Sequence, residues 1–483
     1  MSAIDKQLCE RAMMIPRQPA LVTYAADQMT VWTWQELERV TAPIAASLTE
    51  AGVRGGRRVL LAATGNGPEE VLTLIGMLRT ELPVALLART APEGEVSALK
   101  ETLLHDGYDV VQLLDGRSEL SCSTAPEPAA LPAESVLMPT GGSSGRPRIV
   151  IETRIRTITQ RPRATRPTSV MNWRPDQRQM IIGPLYHAGP LTFFVEGLAD
   201  GNTLIVPRSF NPAAALTAIG EWHVEWLQLT PYHMRHLAVT VARGHYDLSS
   251  VQGILHLAAH CPHQLKRTWI DLLGADRVFE MYGATERIGI TIARGHEWLQ
   301  HPGTVGRGFF TRIRITSEDG EALPAGVCGH VYLQSGPATR RYMSSSDGVS
   351  MTVDGYASVG DRGWLDEDGY LYLAHRQLAR IQIGGETVDP AEVESVLMEH
   401  PSVVDAGIVG IHDKRLGEAL VAVVVPTGLP NPHDLRRYLR ERVARHKVPR
   451  QFLFVENVPH SDVGKIDRQR LYELTTQHDQ GIR

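Results

Sequence analysis

The stretch from 137 to 148 combines residue types that suit a bound polyphosphate. It reads Leu-Met-Pro-Thr-Gly-Gly-Ser-Ser-Gly-Arg-Pro-Arg behind an apolar strand end. Hydroxyls can donate to phosphate oxygens, glycines let backbone N–H groups approach them, and arginines add positive charge. A Walker A loop is excluded, because no Gly-Lys-Ser/Thr follows Gly142 and Pro147 blocks the direct start of a helix. The expected phosphate-binding residues are Thr140, Gly141, Gly142, Ser143, Ser144 and Arg148.

Three later elements carry further chemistry. Residues 280 to 286 place Tyr282, Gly283 and a Thr-Glu pair just after a probable strand; an aromatic can stack on a purine, and a carboxylate beside a hydroxyl can hold Mg²⁺ against a phosphate. Asp361 can accept both hydroxyls of a ribose, and Arg376 can pair with a phosphate. Lys465 lies in a polar loop and, taken alone, is more typical of a solvated surface lysine.

The elements that must position these residues alternate between helix and strand. Apolar spacing predicts a helix over 34–48 and a second over 69–79, with strands between and after them, which favours a mainly parallel sheet covered by helices. Between 329 and 373 short strands and turn clusters predict an antiparallel β region. A small α/β module follows. Its expected elements are helices over 390–400 and 434–444 and strands over 403–409 and 420–425.

In this order and at these separations, the four elements resemble those of the adenylate-forming superfamily, which comprises acyl-CoA synthetases, peptide-synthetase adenylation domains and luciferases. The resemblance spans nearly the whole chain. Residues 183–190 are similar to the segment that lines the acyl pocket, 258–262 to the turn that contacts adenine, and 384–394 to the turn and helix that open the mobile C-terminal domain.

The resemblance implies an α/β fold in two parts. The large N-terminal domain, 1–375, would consist of helix-covered sheets with a distorted β region and bind ATP and the acid. A hinge at 376–379 would lead to a small mobile α/β domain, 380–483, that carries Lys465. That domain would rotate between two half-reactions, withdrawing Lys465 and presenting the 383–386 turn.

The implied reaction uses ATP and Mg²⁺ to convert a carboxylic acid into an acyl-adenylate and pyrophosphate, and then passes the acyl group to an acceptor. Lys465 would stabilise charge on the carboxylate and α-phosphate oxygens. The implied roles of the others are Thr285 for the α-phosphate, Glu286 for Mg²⁺, Ala258 and Ala259 for the adenine edge, Tyr282 and Gly283 for the adenine face, Asp361 and Arg376 for the ribose, and the 140–148 loop for the β- and γ-phosphates.

The acid would bind in a pocket of mixed aromatic and aliphatic character, which suits a moderately bulky apolar acid. Its expected walls are His187, which also counts among the catalytic residues, with Phe193, Tyr232, Leu255, His256 and Ile288. Most such residues in any sheet are plain core, and that alternative stays open.

The acceptor is open between CoA, which is slightly favoured, and the amine of an amino acid, as in enzymes similar to coronafacate ligase. Leu378 stands at the hinge where the family usually has a charged residue, and Arg148 replaces the common lysine. A catalytically silent nucleotide or acyl sensor is a further alternative.

Composition narrows the choice of cellular location and of binding partners. The 483 residues have a formal net charge of −5, four widely spaced cysteines, no signal-like N-terminus and no long apolar run, so we expect a cytoplasmic protein without nucleic-acid or membrane partners. Oligomeric state is open. Two weaker patterns are a possible metal site at His256, His260, Cys261 and His263, and an arginine-rich stretch from Arg154 to Arg178 for which a solvated surface is expected.

Overall fold

The structure is a computed structural model of the chain. It describes residues 2–480 except 26–27, 51–56, 115–116, 126–130, 132, 141–147, 154, 285–287, 336–340, 343–349, 353, 375–380, 384–385, 414–416, 429–430 and 462–463. The described part consists of four β-sheets and the helices that cover them.

The strands are β1 Pro19–Ala25, β2 Gln28–Thr33, β3 Arg58–Thr64, β4 Val84–Ala88, β5 Asp109–Leu114, β6 Arg117–Ser121, β7 Val136–Thr140, β8 Arg148–Glu152, β9 Arg178–Ile181, β10 Thr203–Pro207, β11 Trp226–Leu229, β12 Gly253–His256, β13 Val278–Gly283, β14 Ile290–Arg294, β15 Arg307–Gly308, β16 Arg312–Thr316, β17 Gly329–Gln334, β18 Arg341–Tyr342, β19 Ser350–Met351, β20 Ala357–Ser358, β21 Arg362–Leu365, β22 Leu371–Ala374, β23 Ile381–Ile383, β24 Glu386–Val388, β25 Val403–Asp413, β26 Gly417–Pro426 and β27 Gln451–Phe454.

The α-helices are α1 Ala3–Met14, α2 Trp34–Glu50, α3 Pro68–Arg79, α4 Glu93–His105, α5 Ala188–Asp200, α6 Pro212–Glu221, α7 Pro231–Val241, α8 His263–Leu273, α9 Gly295–Gln300, α10 Pro390–Met398, α11 Pro432–Arg440 and α12 Arg468–Gln480.

The first sheet has nine strands in the order β15-β14-β13-β12-β11-β9-β10-β1-β2. The run from β13 to β1 is parallel, and the strands outside it pair antiparallel. A second sheet, β18-β8-β7-β4-β3-β5-β6, is parallel from β7 to β5. The short apolar strands of both sheets are buried on both faces, as expected when helices cover a parallel sheet.

The third and fourth sheets complete the chain. The third joins β16, β17 and β19 to β22 in antiparallel pairs, which confirms the antiparallel region predicted between 329 and 373. The fourth joins β23 to β27, with α10 and α12 packed on β25. The predicted α/β class is therefore confirmed.

Several helices start where a capping side chain precedes a proline. The pairs are Asn211-Pro212 at α6, Thr230-Pro231 at α7, Asp389-Pro390 at α10 and Asn431-Pro432 at α11. In each pair the first side chain accepts a backbone N–H of the first turn, and proline fits there because its missing N–H has no partner in the helix anyway. This cap starts α11 two residues before the predicted 434, and α11 ends at Arg440 instead of the predicted 444.

Two hydrophobic clusters lie on the two faces of the first sheet. One fills the space between the first and second sheets and includes Leu60 of β3, Leu204 of β10 and Phe194 of α5. The other lies beneath α6, α7 and α8. The fourth sheet has clusters of its own, centred on β25 and β26. No helix among the described residues has the length and apolar character needed to cross a bilayer.

Candidate active site

The carboxyl ends of four neighbouring parallel strands, β9, β11, β12 and β13, meet at one edge of the first sheet. In open parallel sheets ligands bind in the crevice outside such ends. The described residues that follow these four ends are 182–187, Thr230, 257–262 and Ala284. Three of the segments singled out in the sequence, around 183, 258 and 282, therefore lie at one edge.

Tyr282 and Asp361 are in direct contact. The Tyr282 hydroxyl donates a 2.7 Å hydrogen bond to Oδ2 of Asp361, whose side chain is buried just before β21. The contact joins the first sheet to the third and fixes the direction of the carboxylate. Gly283 follows, where a Cβ would lie 2.9 Å from Cγ2 of Ile290 and 3.3 Å from the carbonyl oxygen of Gly289. The close approach of β14 leaves little room for a side chain there.

The turn after β12 has an unusual backbone. Ala258 has a φ of 79°, in the left-handed region that residues with a Cβ rarely adopt. Such conformations persist only where the surroundings enforce them, and they concentrate at functional sites. Ala258 is exposed and Ala259 is partly exposed, so the turn presents backbone to the crevice.

The turn that carries Lys465 docks on the carboxyl end of β11. A Cβ added to Gly464, which has a φ of 70°, would lie 2.5 Å from Cβ of Tyr232 and 3.0 Å from Oγ1 of Thr230. The ring of His460, at the base of the same turn, lies 4.7 Å from the ring of Tyr232. Lys465 itself is exposed. The structure thus brings the C-terminal lysine, distant in sequence, to the edge that holds Tyr282 and Ala258.

The segment 183–187 is positioned by the side chain of Asn66 and by the start of α5, which follows it. Asn66, in the bend between β3 and α3, donates through Nδ2 to the carbonyl oxygen of Gly183 (3.1 Å) and accepts through Oδ1 from the N–H of Leu185 (3.1 Å). His187 occupies the N-cap position of α5, and its ring lies 4.5 Å from that of Tyr186. Sequence reasoning missed Asn66, because nothing in its neighbourhood points to a contact with a segment more than a hundred residues away.

Gln228 was also missed. It lies on β11 and is fully buried on the face toward α5; a Cβ on Gly183 would be 3.5 Å from its Oε1. Its Nε2 donates to the carbonyl oxygen of Leu229 (3.1 Å), whereas Oε1 has no hydrogen-bond partner among the described residues. A buried acceptor without a partner is costly, and such groups are uncommon.

The six predicted pocket walls do not share one surface. Leu255 and Phe193 lie in the cluster between the first two sheets, where Phe193 packs on Trp226 with ring centroids 5.2 Å apart. Ile288 belongs to the cluster under the third sheet. The ring of Tyr232 packs at the C-terminal turn. Of the six, only Leu255 and His187 lie near the strand ends on the α5 side.

His256 points away from the predicted acyl pocket, for a geometric reason. Successive side chains of a strand point to opposite faces, so His256 cannot share a face with Leu255. Its neighbours are Glu280 of β13, with 4.0 Å between Nδ1 and Oε1, and Lys266 of α8. We therefore leave His256 out of the proposed pocket. Leu257, which packs on the α5 side against Gly189, takes its place.

Beneath the Ala258 turn lies a buried polar cluster. Nζ of Lys266 binds the Glu280 carboxylate and lies 5.2 Å from the ring centroid of Trp298. Burial lowers the pKa of His256 to about 3 and raises that of Cys261 to about 12, so both are neutral. Within the described part of the chain, no group of three or more His, Cys, Asp or Glu side chains is arranged to hold a metal ion.

The arginine-rich stretch is used inside the fold. Arg156 is fully buried and donates to the carbonyl oxygens of Leu78, Thr80 and Leu82. Arg166 is also buried and pairs with Asp200 at 3.2 Å. The expectation of a solvated surface is therefore wrong for these two arginines, because backbone carbonyls and a buried carboxylate take up their donors.

Several predicted residues cannot be placed. Gly141, Gly142, Ser143, Ser144, Thr285, Glu286, Arg376, the 376–379 hinge with Leu378, and residues 384–385 lie outside the described residues. Thr140 ends β7 and Arg148 begins β8. These two strands pair antiparallel, and the two residues are partners in that pairing.

Comparisons with known proteins agree with this geometry. A family model described as AMP-binding enzyme matches residues 96–343, and one for the AMP-binding enzyme C-terminal domain matches 392–465. Sulfoacetate--CoA ligase of Cupriavidus necator is 28% identical over 95% of this chain and 96% of that protein. Feruloyl-CoA synthase of Amycolatopsis sp. is 30% identical over 90% and 92%.

Among solved structures, the amide bond synthetase McbA of Marinactinospora thermotolerans superposes with a TM-score of 0.73 at 24% identity, covering 98% of this chain and 100% of that one. At that identity the likeness shows the fold alone. The family-model matches and the 30% identical relative decide the family: the chain belongs to the AMP-binding enzymes, the adenylate-forming superfamily that its sequence resembles.

Proposed function

We propose that the chain activates a carboxylic acid with ATP, forms an acyl-adenylate and pyrophosphate, and transfers the acyl group to a second substrate. The observation that carries the proposal is the meeting of three parts at one sheet edge: the Tyr282–Asp361 pair, the Ala258 turn and the turn of Lys465. The first half-reaction needs a bound nucleotide and a positive charge beside its α-phosphate, and in this proposal these parts supply both on the same side of the crevice.

Each part has a defined task in this proposal. The Tyr282 ring packs against adenine, and Asp361, oriented by the Tyr282 hydroxyl, accepts from the ribose. The backbone at Ala258 and Ala259 contacts the adenine edge. Lys465 places a positive charge where the carboxylate and α-phosphate oxygens meet, which favours the charge distribution of the transition state.

The phosphate and metal sites rest on the sequence resemblance. Thr140 is the last residue of β7 and Arg148 the first of β8, and the two are paired in register. Glu286 with Thr285 would hold Mg²⁺, which neutralises phosphate charge when bound. The proposal assigns no further step to the metal.

The acid is proposed to enter between β11, β12 and the start of α5. Leu255, Leu257 and Phe279 give this face an apolar character, and Gln228 adds one buried polar group. We propose a moderately bulky, mainly apolar carboxylic acid. His187, at the start of α5, would stand at the mouth near the reacting carboxylate.

CoA is the favoured acceptor. The two curated relatives described above are named as CoA ligase and CoA synthase and align over at least nine-tenths of the chain. An amino-acid amine is the second candidate, since an amide bond synthetase shares the fold over nearly its whole length. The C-terminal domain would rotate between the two steps, as the resemblance implies.

The test is mass spectrometry of the products formed from ATP, Mg²⁺ and a panel of cyclic and aromatic acids, with CoA and mixed amino acids offered separately. A thioester supports the CoA proposal, and an amide supports the second candidate. Lys465→Ala is the matched control, because it should still bind ATP yet lose acyl-adenylate formation. Absence of AMP release with every acid, under both acceptors, would count against the enzyme and in favour of a sensor.

A further inference from the structure

We propose that Tyr232, Arg235 and His236 of α7, together with Asp405 and His460 of the C-terminal domain, form a latch that positions Lys465 for the activation step and releases it for the transfer step. These are positioning residues, because they act through the docking of the Lys465 turn. The inference rests on the proposed function, in which Lys465 serves the first half-reaction only.

The turn itself is fixed by its own hydrogen bonds. His460 and Ile466 pair as a β-bridge, the N–H of Ser461 donates to the carbonyl oxygen of Lys465 (2.7 Å), and the N–H of Gly464 donates to that of Ser461 (2.7 Å). His460 and Lys465 therefore move together. Any contact that holds the His460 ring also holds the lysine.

The ring of His460 is held on both sides of the domain boundary. On its own side, Nδ1 contacts the carbonyl oxygen of Val458 at 2.8 Å and Nε2 lies 3.5 Å from Oδ2 of Asp405. Across the boundary, the ring packs against Tyr232, which also packs against the ring of His236 at 4.5 Å. Tyr232 thus links the first turn of α7 to the base of the Lys465 turn.

Asp405 supplies the electrostatic part of the latch. It belongs to β25 of the C-terminal domain, yet it is 5% exposed and interacts with Arg235 and His236 of α7 as well as with His460. A buried carboxylate needs compensating charges or hydrogen bonds. Burial lowers the pKa of His236, so Arg235 is the charged partner that α7 gives to Asp405. Rotation of the C-terminal domain would take Arg235 away, so the attraction between these two charges favours the docked arrangement.

The approach of the backbones supplies the steric part. Gly464 lies so close to Thr230 and Tyr232 that a Cβ would meet the Cβ of Tyr232 at 2.5 Å, and that atom cannot move without shifting α7. Glycine is therefore required for the turn to dock, and its φ of 70° suits glycine as well. A substitution here changes docking without removing any group from either domain core.

The test separates the two half-reactions in the full-length protein. Acid-dependent exchange of pyrophosphate into ATP measures activation, and AMP release from the synthetic acyl-adenylate with the acceptor measures transfer, both with the acid that the panel identifies. Asp405→Asn, His460→Gln and Gly464→Ala should each lower activation at least about tenfold and leave transfer unchanged or faster. The matched control is Asp413→Asn, on the same strand β25, whose carboxylate pairs with Arg450 at 2.8 Å inside the C-terminal domain. It should change neither step.

Three outcomes would overturn the latch: activation at the wild-type rate in all three variants, equal loss of both steps, or the same loss in Asp413→Asn. Small-angle X-ray scattering of the substrate-free proteins gives a readout that does not need activity. Asp405→Asn and Gly464→Ala should have a larger radius of gyration than the wild type, and an unchanged radius contradicts the latch. A wild-type chain that activates no acid would defeat the proposed function instead, and the scattering comparison would still decide the latch.

Discussion

The phenol of Tyr282 donates a 2.7 Å hydrogen bond to the buried carboxylate of Asp361, 79 positions further along the chain. The bond orients an acceptor that we assign to the ribose. Tyr282→Phe keeps the ring but loses the donor, and a hydrogen bond to a charged group contributes about 1.5–3 kcal/mol. We expect the KM for ATP in the activation assay to rise about tenfold or more, with kcat changed much less.

Asp361→Asn provides the companion measurement. It keeps the shape and the contact with Tyr282 but removes the negative charge, so the KM for ATP should rise further than in Tyr282→Phe. A Tyr282→Phe variant with the wild-type KM would show that the hydroxyl does not orient the carboxylate for the nucleotide.

The backbone of Ala258 makes a prediction about stability. With a φ of 79°, Ala258 is in a region that costs a residue with a Cβ about 1–2 kcal/mol, whereas glycine adopts it freely. Glycine also loses more entropy on folding, so Ala258→Gly should raise the free energy of unfolding by up to about 1 kcal/mol. Denaturant titration measures it. A loss of stability would mean that the surroundings do not strain this turn.

Gln228 and Gln179 form a matched pair of buried amides on neighbouring strands. Gln179 uses both ends, donating to the carbonyl oxygen of Phe193 (2.9 Å) and accepting from Nδ2 of Asn202 (3.0 Å), whereas Oε1 of Gln228 has no partner in the described structure. Gln179→Met should therefore lower the free energy of unfolding by about 1–3 kcal/mol, since it leaves two buried groups without their hydrogen-bond partner. Gln228→Met should be neutral or stabilising.

The comparison uses thermal and denaturant unfolding of both variants under the same conditions. Equal destabilisation of the two would show that Gln228 is satisfied in solution. Neutral stability combined with a changed preference among acids would place Gln228 at the acyl pocket, where a substrate donor meets its oxygen.

Glu196 predicts a dependence of stability on pH. It is buried in α5, where Thr168 donates a 2.6 Å hydrogen bond, and burial raises its pKa to about 7 despite Arg166 at 3.8 Å. Between its unfolded pKa of about 4.3 and the folded value, the folded state holds a proton that the unfolded state has lost. This contribution to stability is therefore complete below about pH 4 and is lost as pH rises through 7.

Glu196→Gln removes that titration. Its free energy of unfolding, measured at pH 5 and pH 7.5, should fall less over this interval than that of the wild type, by on the order of 3 kcal/mol. Parallel losses in both proteins would show that Glu196 is ionised in the fold throughout.

Local pattern predicted a strand just before the Tyr282 motif, and the structure has this strand as β13, which ends at Gly283. Local pattern could not predict to which face of β12 the His256 side chain points, since a one-residue difference in register moves a side chain from the pocket face of the sheet to the core face. Local pattern also could not predict the Asn66 contact or the docking of Gly464 on Tyr232, because both depend on how separate sheets pack. Helix α12 was missed because its sequence is largely polar and only one side, with Leu471, is buried.

The distribution of the hydrophobic clusters has a consequence for how the protein unfolds. The first two sheets share one hydrophobic cluster and are linked by the hydrogen bonds of Asn66, so they should unfold as a single cooperative unit. The fourth sheet has separate clusters and can unfold on its own. All eight tryptophans, from Trp32 to Trp364, precede the C-terminal module. Tryptophan fluorescence will therefore report on the large domain alone, and loss of the module will be visible only to circular dichroism or calorimetry.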